Sequence, residues 1–176
     1  MGLYCREPYE CDLARDAGAY RGVRIERSKD ARVLNSIITH PKIYPHVSDD
    51  HAPKPEDFDC SKALETDGVY FVTPIDGVIL GCFIVHLHTM TLYEVHTCLL
   101  PICWGKKTLE ATKLCAQWVF GNTSCQKLMT WVPTYNRLAY KLAIKSGMKD
   151  EGLCKKSYLK NGVLHDMHLL GMEKGE

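Results

Sequence analysis

Residues 92–108 read Leu92-Tyr-Glu-Val-His-Thr-Cys-Leu-Leu-Pro-Ile-Cys-Trp-Gly-Lys-Lys-Thr108, and the character of the chain changes along them. Leu92 to Leu100 has the composition and alternation of a strand, on which Glu94, His96 and Cys98 share one face. Lys107 to Phe120 then reads as a helix, with Ala111, Leu114, Cys115, Trp118 and Val119 forming one apolar side. A strand that runs through a glycine turn into a helix presents free backbone N–H groups and the positive end of the helix dipole to an anion. Gly105 lets the backbone come close, and Lys106 and Lys107 add charge. An ordinary strand-to-helix turn would carry the same local pattern.

Outward from this stretch the elements fall into a regular order. Upstream, Val23 to Glu26 suits a short strand. Asp30 suits the N-cap of a helix carrying Val33, Leu34, Ile37 and Ile38, which Pro41 ends. Residues 41–62 hold four prolines and five acidic residues and read as a long irregular connection with room for one short helix. Val69 to Thr73, the turn Pro74-Ile-Asp-Gly77, and Val78 to His88 lead into the Leu92 strand as an antiparallel meander. Downstream, Gly121 and Asn122 suit a helix end. Lys127 to Val132 is a strand, Asn136 to Ser146 a second amphipathic helix, and Gly147 its cap. Tyr158 to Leu159 and Asp166 to Leu170, joined across Asn161-Gly162, form a closing hairpin. The order predicts an α+β fold. Residues 23–176 make one domain, and residues 1–22, which lack clean periodicity, make an N-terminal extension.

Composition narrows the function classes. The 176 residues are 45% hydrophobic and 24% charged, with a net charge of +1, which suits an ordinary globular domain. So small a charge argues against broad capture of nucleic acid or of an anionic membrane. No apolar run approaches the ~18 residues of a membrane span, and the N-terminal stretch carries charges in place of a signal core. These features predict a cytoplasmic protein whose nine cysteines are reduced thiols. No Cys-x-x-Cys pair is present, and the Cys5/Cys11 and Cys98/Cys103 spacings do not suit a zinc knuckle. His86 and His88 share a strand face and could share a metal, but no further ligand set is visible along the sequence. No metal is expected.

Three segments, in order, resemble the GNAT acetyltransferase superfamily over about Val23 to Met172. Tyr93-Glu-Val-His-Thr-Cys-Leu-Leu-Pro101 is similar to its fourth strand, and Ile102-Cys-Trp-Gly-Lys-Lys-Thr108 stands at its pyrophosphate loop. Asn136-Arg-Leu-Ala-Tyr-Lys-Leu-Ala-Ile-Lys-Ser-Gly-Met148 is similar to its Asn-x-x-Ala…Lys-x-Gly-Phe helix, with Glu151-Gly152 following. The loop departs from the usual Arg/Gln-x-x-Gly-x-Gly/Ala form: Gly105 is retained, with Trp104 beside it and Lys107 where a small residue is usual. The Thr97-x-x-x-Pro101-x-x-Trp104-Gly105 variant resembles a branch carried by bacteriophages.

The resemblance implies a GNAT-like mixed, mostly antiparallel central sheet flanked by helices on both faces, and an N-acetyltransferase that uses acetyl-CoA as co-substrate and acetylates a primary amine. A homodimer is left open. A lysine-like amine is almost wholly protonated at neutral pH, so a base must act on it. The family places a catalytic glutamate at Glu94, with His96 the alternative base. Cys98, Leu99 and Leu100 would line pantetheine, with an oxyanion donor at a backbone N–H near Leu99 on a bulged strand. Trp104, Gly105, Lys106, Lys107 and Thr108 would hold the pyrophosphate, and Asn136 would contact the cofactor or serve as a plain N-cap. Many relatives carry a leaving-group tyrosine where this chain has Ala143; Tyr140, one helical turn earlier, is the substitute. The family also places residues 41–62 beside the thioester, so Tyr44, His46, Asp49 and Asp50 are acceptor-binding candidates. A non-catalytic domain of the same fold, binding CoA or a protein, is the rival reading.

Overall fold

A computed structural model describes residues 22–175; the extension expected over 1–22 lies almost wholly outside the described residues. The elements run β1 (Arg24–Ser28), α1 (Ala31–Ile38), α2 (Tyr44–Val47), α3 (Ser61–Leu64), β2 (Val69–Asp76), β3 (Val78–Ile79), β4 (Gly81–Leu87), β5 (Leu92–Leu99), α4 (Lys106–Asn122), β6 (Lys127–Pro133), α5 (Arg137–Ser146), β7 (Lys149–Lys160) and β8 (Val163–Glu173). They form one eight-stranded sheet in the order β1-β2-β4-β5-β6-β8-β7, with β3 paired to β2. All pairs are antiparallel except β5–β6, whose parallel pairing follows from the intervening helix α4.

Local chemistry sets the element ends. The Asp30 carboxylate accepts the N–H groups of Arg32 (2.9 Å) and Val33 (3.3 Å) and so starts α1. Asn136 does the same for α5 through the N–H of Ala139 (3.2 Å), and Gly147 closes that helix in a left-handed conformation. In residues 41–62 two short helices and a 3₁₀ turn (Pro55–Asp57) replace the single helix expected. The proline-bearing stretch expected to turn at residues 74–77 instead stays extended to Asp76, and the reversal begins at Gly77. Gly121 and Asn122 are the last two residues of α4, at its C-terminal end as expected.

Alternation on β4 and β5 divides the interior in two. Phe83, Val85, Tyr93 and Val95 face α4, against Ala111, Cys115 and Val119. Cys82 and Cys98 face the other way, against Leu34, Ile37 and Ile38 of α1. Burial of each such large side chain contributes about 1.5–3 kcal/mol, so both helix layers are fixed to the central strands. The closing hairpin is much longer than its two expected segments. Residues 149–157 of β7 are exposed and carry no apolar alternation; the strand lies at the edge of the sheet, with β8 its one strand neighbour among the described residues.

Candidate active site

The backbone of β5 is laddered on one side and open on the other. Against β4 the register is unbroken from Gly81↔Leu99 to Leu87↔Tyr93, so the bulge expected near Leu99 is absent from this pairing. Against β6 only Leu92, Tyr93 and Glu94 have partners; beyond them the two parallel strands part. The Leu100 N–H donates to the Leu80 carbonyl and the His88 N–H to the Leu92 carbonyl (both 2.9 Å). Alternation then sends the even-numbered amides of β5 toward β4 and those of Val95, Thr97 and Leu99 into the gap beside β6. Gly81 makes the close approach at this end possible: a Cβ there would stand 2.4 Å from the Cys98 carbonyl oxygen and 2.7 Å from the Leu99 Cα.

Val95 and Thr97 line a cavity of about 260 Å³ at this gap, and Leu99 lies just outside its lining. His46 and Tyr158 line it from the face of α2 and the closing hairpin, and Thr112, Cys115, Ala116 and Ser146 line it from the face of α4 and α5. The cavity therefore passes between β5 and β6 and joins the two faces of the sheet. Glu94, His96, Thr97, Thr130 and Asn136 contribute polar groups to its lining. Thr130 and Tyr158 were not singled out in the sequence. Thr130 sits in a strand whose partner was unknown, and Tyr158 reaches the cavity only through the fold of the long hairpin.

At the far end of β5, Pro101–Cys103 makes a 3₁₀ turn and Gly105 stands at the N-cap of α4 with φ 103°, a conformation that favours glycine. No side chain caps this end, so the first amides of a 17-residue helix lie open. The Trp104 indole N–H donates to the Leu99 carbonyl (3.0 Å) and folds the turn back onto the gap side of β5. Thr108 donates to the Cys103 carbonyl (2.9 Å), which turns its hydroxyl inward. Lys107 is engaged by Asp76 at 2.8 Å, which pushes its pKa up, while Lys106 is exposed at the turn. Thr112, one turn along the helix, donates to the Thr108 carbonyl (2.8 Å) and reaches the cavity. An anionic ligand laid on these amides would continue along the cavity wall, so the donor set fits a CoA pyrophosphate and pantetheine arm.

Glu94 is only 6% exposed and sits among three imidazoles. His88 Nε2 lies 2.7 Å from Glu94 Oε2, His86 Nε2 lies 3.5 Å from the same oxygen, and His96 Nε2 lies 3.3 Å from Oε1. His86 and His96 also meet Nε2 to Nε2 at 3.0 Å with their rings stacked. Burial pushes the pKa values of His86 and His96 down, against the pull of the Glu94 carboxylate. The further ligand set that was not visible beside His86 and His88 is thus present: β4–β5 register pairs His86 directly with Glu94.

Other sequence candidates fall elsewhere. Cys98 is buried on the α1 side directly across from Cys82, whose thiol pKa is pushed well up by this neighbour and by burial; Cys98 does not line the cavity. Tyr140 does not line it either. Its hydroxyl donates to the Asp150 carboxylate (3.0 Å), which also takes His168 Nδ1 at 2.8 Å. The Tyr44 hydroxyl donates to the Pro53 carbonyl, and Asp49 accepts the His51 N–H at 2.9 Å. Asp50 holds the tip of the closing hairpin: its carboxylate accepts the N–H groups of Asn161 (2.8 Å) and Gly162 (2.7 Å), which lower its pKa. Lys160 completes the tie by donating to the Ser48 carbonyl at 2.6 Å. Of the four acceptor candidates, His46 alone lines the cavity, and Asp50 binds together the two segments that border it.

Among the described residues no helix is long and apolar enough to cross a membrane. No curated protein matches the chain. Solved structures do: a spermidine N-acetyltransferase from Vibrio cholerae, in complex with CoA and spermine, is 14% identical over 86% of this chain and 95% of that one, with a TM-score of 0.72. A ribosomal-protein-S5-alanine acetyltransferase from Vibrio fischeri is 17% identical over 88% and 93%, with a TM-score of 0.68. A GNAT-family acetyltransferase from Bacillus anthracis is 16% identical over 89% and 97%, with a TM-score of 0.69. These likenesses establish the GNAT fold expected from the three sequence segments. The model of one family, described as "Protein of unknown function (DUF2824)", matches residues 53–175. The chain belongs to that family and carries the GNAT acetyltransferase fold.

Proposed function

We propose that this protein is an N-acetyltransferase that moves an acetyl group from acetyl-CoA to a primary amine by direct transfer. The observation that carries the reading is the parting of β5 from β6, which opens a passage through the sheet from the α4 side to a buried carboxylate on the other. The uncapped α4 amides at Lys106 to Thr108 and the exposed Lys106 would bind the pyrophosphate. The Leu99 N–H, aimed into the gap, would bond the thioester oxygen as charge develops on it.

The amine would enter from the face of α2 and the closing hairpin, past His46 and Tyr158. Glu94 takes a proton from the amine, directly or through a water, with His96 the alternative base. The amine nitrogen then forms its bond to the carbonyl carbon as the carbon–sulfur bond breaks. Its second proton passes to solvent, and the thiolate, whose conjugate acid resembles a cysteine thiol (pKa ~8.5), leaves without needing a tyrosine. The Tyr140–Asp150 bond leaves that tyrosine occupied, and this favours solvent as the source of the thiol proton.

The two neighbours of the same fold are named for spermidine and for an alanine of ribosomal protein S5, so the fold alone does not select the acceptor. Incubation with labelled acetyl-CoA, a panel of polyamines, aminoglycosides and peptides, and a host-cell lysate tests the reading. Label transfer to any amine, lost in Glu94→Gln, supports it. Binding of CoA without transfer to any of them would favour the non-catalytic reading, for which the engaged Tyr140 and Lys107 speak.

A further inference from the structure

We propose that His86, Glu94 and His96 form a binding site for a divalent transition-metal ion, with His88 holding the Glu94 carboxylate from outside. Two imidazoles and one carboxylate, with a fourth position open, are a donor set that zinc accepts. Ligand atoms on a tetrahedron about 2.0–2.1 Å from zinc stand about 3.3 Å from one another. Here His86 Nε2 and His96 Nε2 stand 3.0 Å apart, and each reaches a different oxygen of Glu94, His86 to Oε2 at 3.5 Å and His96 to Oε1 at 3.3 Å. With one carboxylate oxygen counted, the ligand atoms all lie within 4.8 Å of one another, so a turn of the Glu94 carboxylate and small movements of the two imidazoles would bring them onto an ion.

The scaffold favours the same conclusion. All three ligands stand on adjacent antiparallel strands, with His86 and Glu94 in direct register, and strands hold ligands more firmly than loops do. The 2.7 Å contact from His88 to Glu94 fixes the carboxylate as an outer-shell partner would. An ion can enter from solvent, since the His86, His88 and His96 side chains remain 32%, 39% and 44% exposed. His86 Nε2 and His96 Nε2 face each other at 3.0 Å, and the same two nitrogens face one carboxylate.

The site does not depend on the acetyl-transfer reading. If that reading holds, a bound ion engages the carboxylate proposed as base, and zinc would slow transfer. The test is made on the full chain, stripped with chelator and kept reduced, without acetyl-CoA. Zinc titration with elemental analysis after desalting should give a single ion per chain. Cobalt should give the visible bands of a four- or five-coordinate nitrogen/oxygen site. His86→Gln should weaken zinc binding by about 100-fold or more, and His88→Gln by about 10–100-fold, both with unchanged circular dichroism. Should His86→Gln misfold, the cobalt spectrum of the unaltered chain decides alone. No bound ion, a thiolate-to-cobalt charge-transfer band marking cysteine ligation, or undiminished binding in a folded His86→Gln would each overturn the site.

Discussion

The two edges of β5 are treated in opposite ways. Toward β4 every residue from Tyr93 to Leu99 has a partner in continuous register, and Gly81 lets the two backbones close up at the Leu99 end. Toward β6 the ladder stops after Glu94, and amides that would otherwise pair are left facing a cavity. The closed edge supplies rigidity and the open edge supplies donors. A side chain on β5 is therefore held by one neighbour while it faces ligand space at the other, which is what a preorganised site requires.

Substitutions on the two edges should separate these roles. Glu94→Gln carries the largest expected effect: turnover on the best amine falls by about 10²–10⁴-fold while acetyl-CoA binding persists, measured in chelator-treated protein by label transfer and calorimetry. A fully active Glu94→Gln beside a dead His96→Ala would move the base to His96. Gly81→Ala attacks the closed edge. Its Cβ meets backbone and its φ is +145°, so stability should fall by about 1–3 kcal/mol, read by denaturant melting. A neutral result would mean that β4 and β5 do not approach so closely.

Gly105→Asp attacks the anion end. Nothing lies within 4 Å of the new Cβ, though the φ of +103° strains any replacement. Unmodified protein should gain about 2.7 kcal/mol, or roughly 5–10 °C in melting temperature, at a hundredfold excess of acetyl-CoA over Kd. The variant should gain nothing, and an equal rise in both would remove the loop from the site.

Asp50→Asn should have the smallest effect. The folded pKa of Asp50 is depressed by the Asn161 and Gly162 amides, so the hairpin tie is present above the ordinary carboxylate range near ~3.9. It is lost as pH falls through the lower folded value. Protection of the Asn161 and Gly162 amides, taken relative to their intrinsic exchange rates at each pH, should thus fall in unmodified protein only at acid pH, and be low in the variant at every pH. The acceptor KM should rise modestly with acetyl-CoA affinity unchanged. Protection that ignores both pH and substitution would dissolve the tie.

The local code of this sequence was clear where one element decides its own geometry. Asp30 and Asn136 cap helices, Gly105 turns β5 into α4, and Asn161-Gly162 makes the hairpin tip, each through backbone conformation or a neighbouring amide. What stayed hidden depends on partners far along the chain. The role of Asp50 rests on amides 111 and 112 positions away. The histidine cluster needs the β4–β5 register, which alternation alone does not supply. Strand β7 lacks a buried face and so left no periodic trace, and Tyr158 reached the cavity unannounced. Tyr140 shares a helix with the cavity residues Ala139 and Ala143 but turns to Asp150 instead.

Amide chemical-shift mapping during titration with CoA tests the central claim most directly, because it reads the two edges of β5 residue by residue. Large shifts are expected at Val95, Thr97, Leu99 and Lys106 to Thr108, with much smaller ones at the β4-facing amides of Glu94, His96 and Cys98. Shifts spread equally over both sets, or confined to surfaces away from the β5–β6 gap, would contradict that claim.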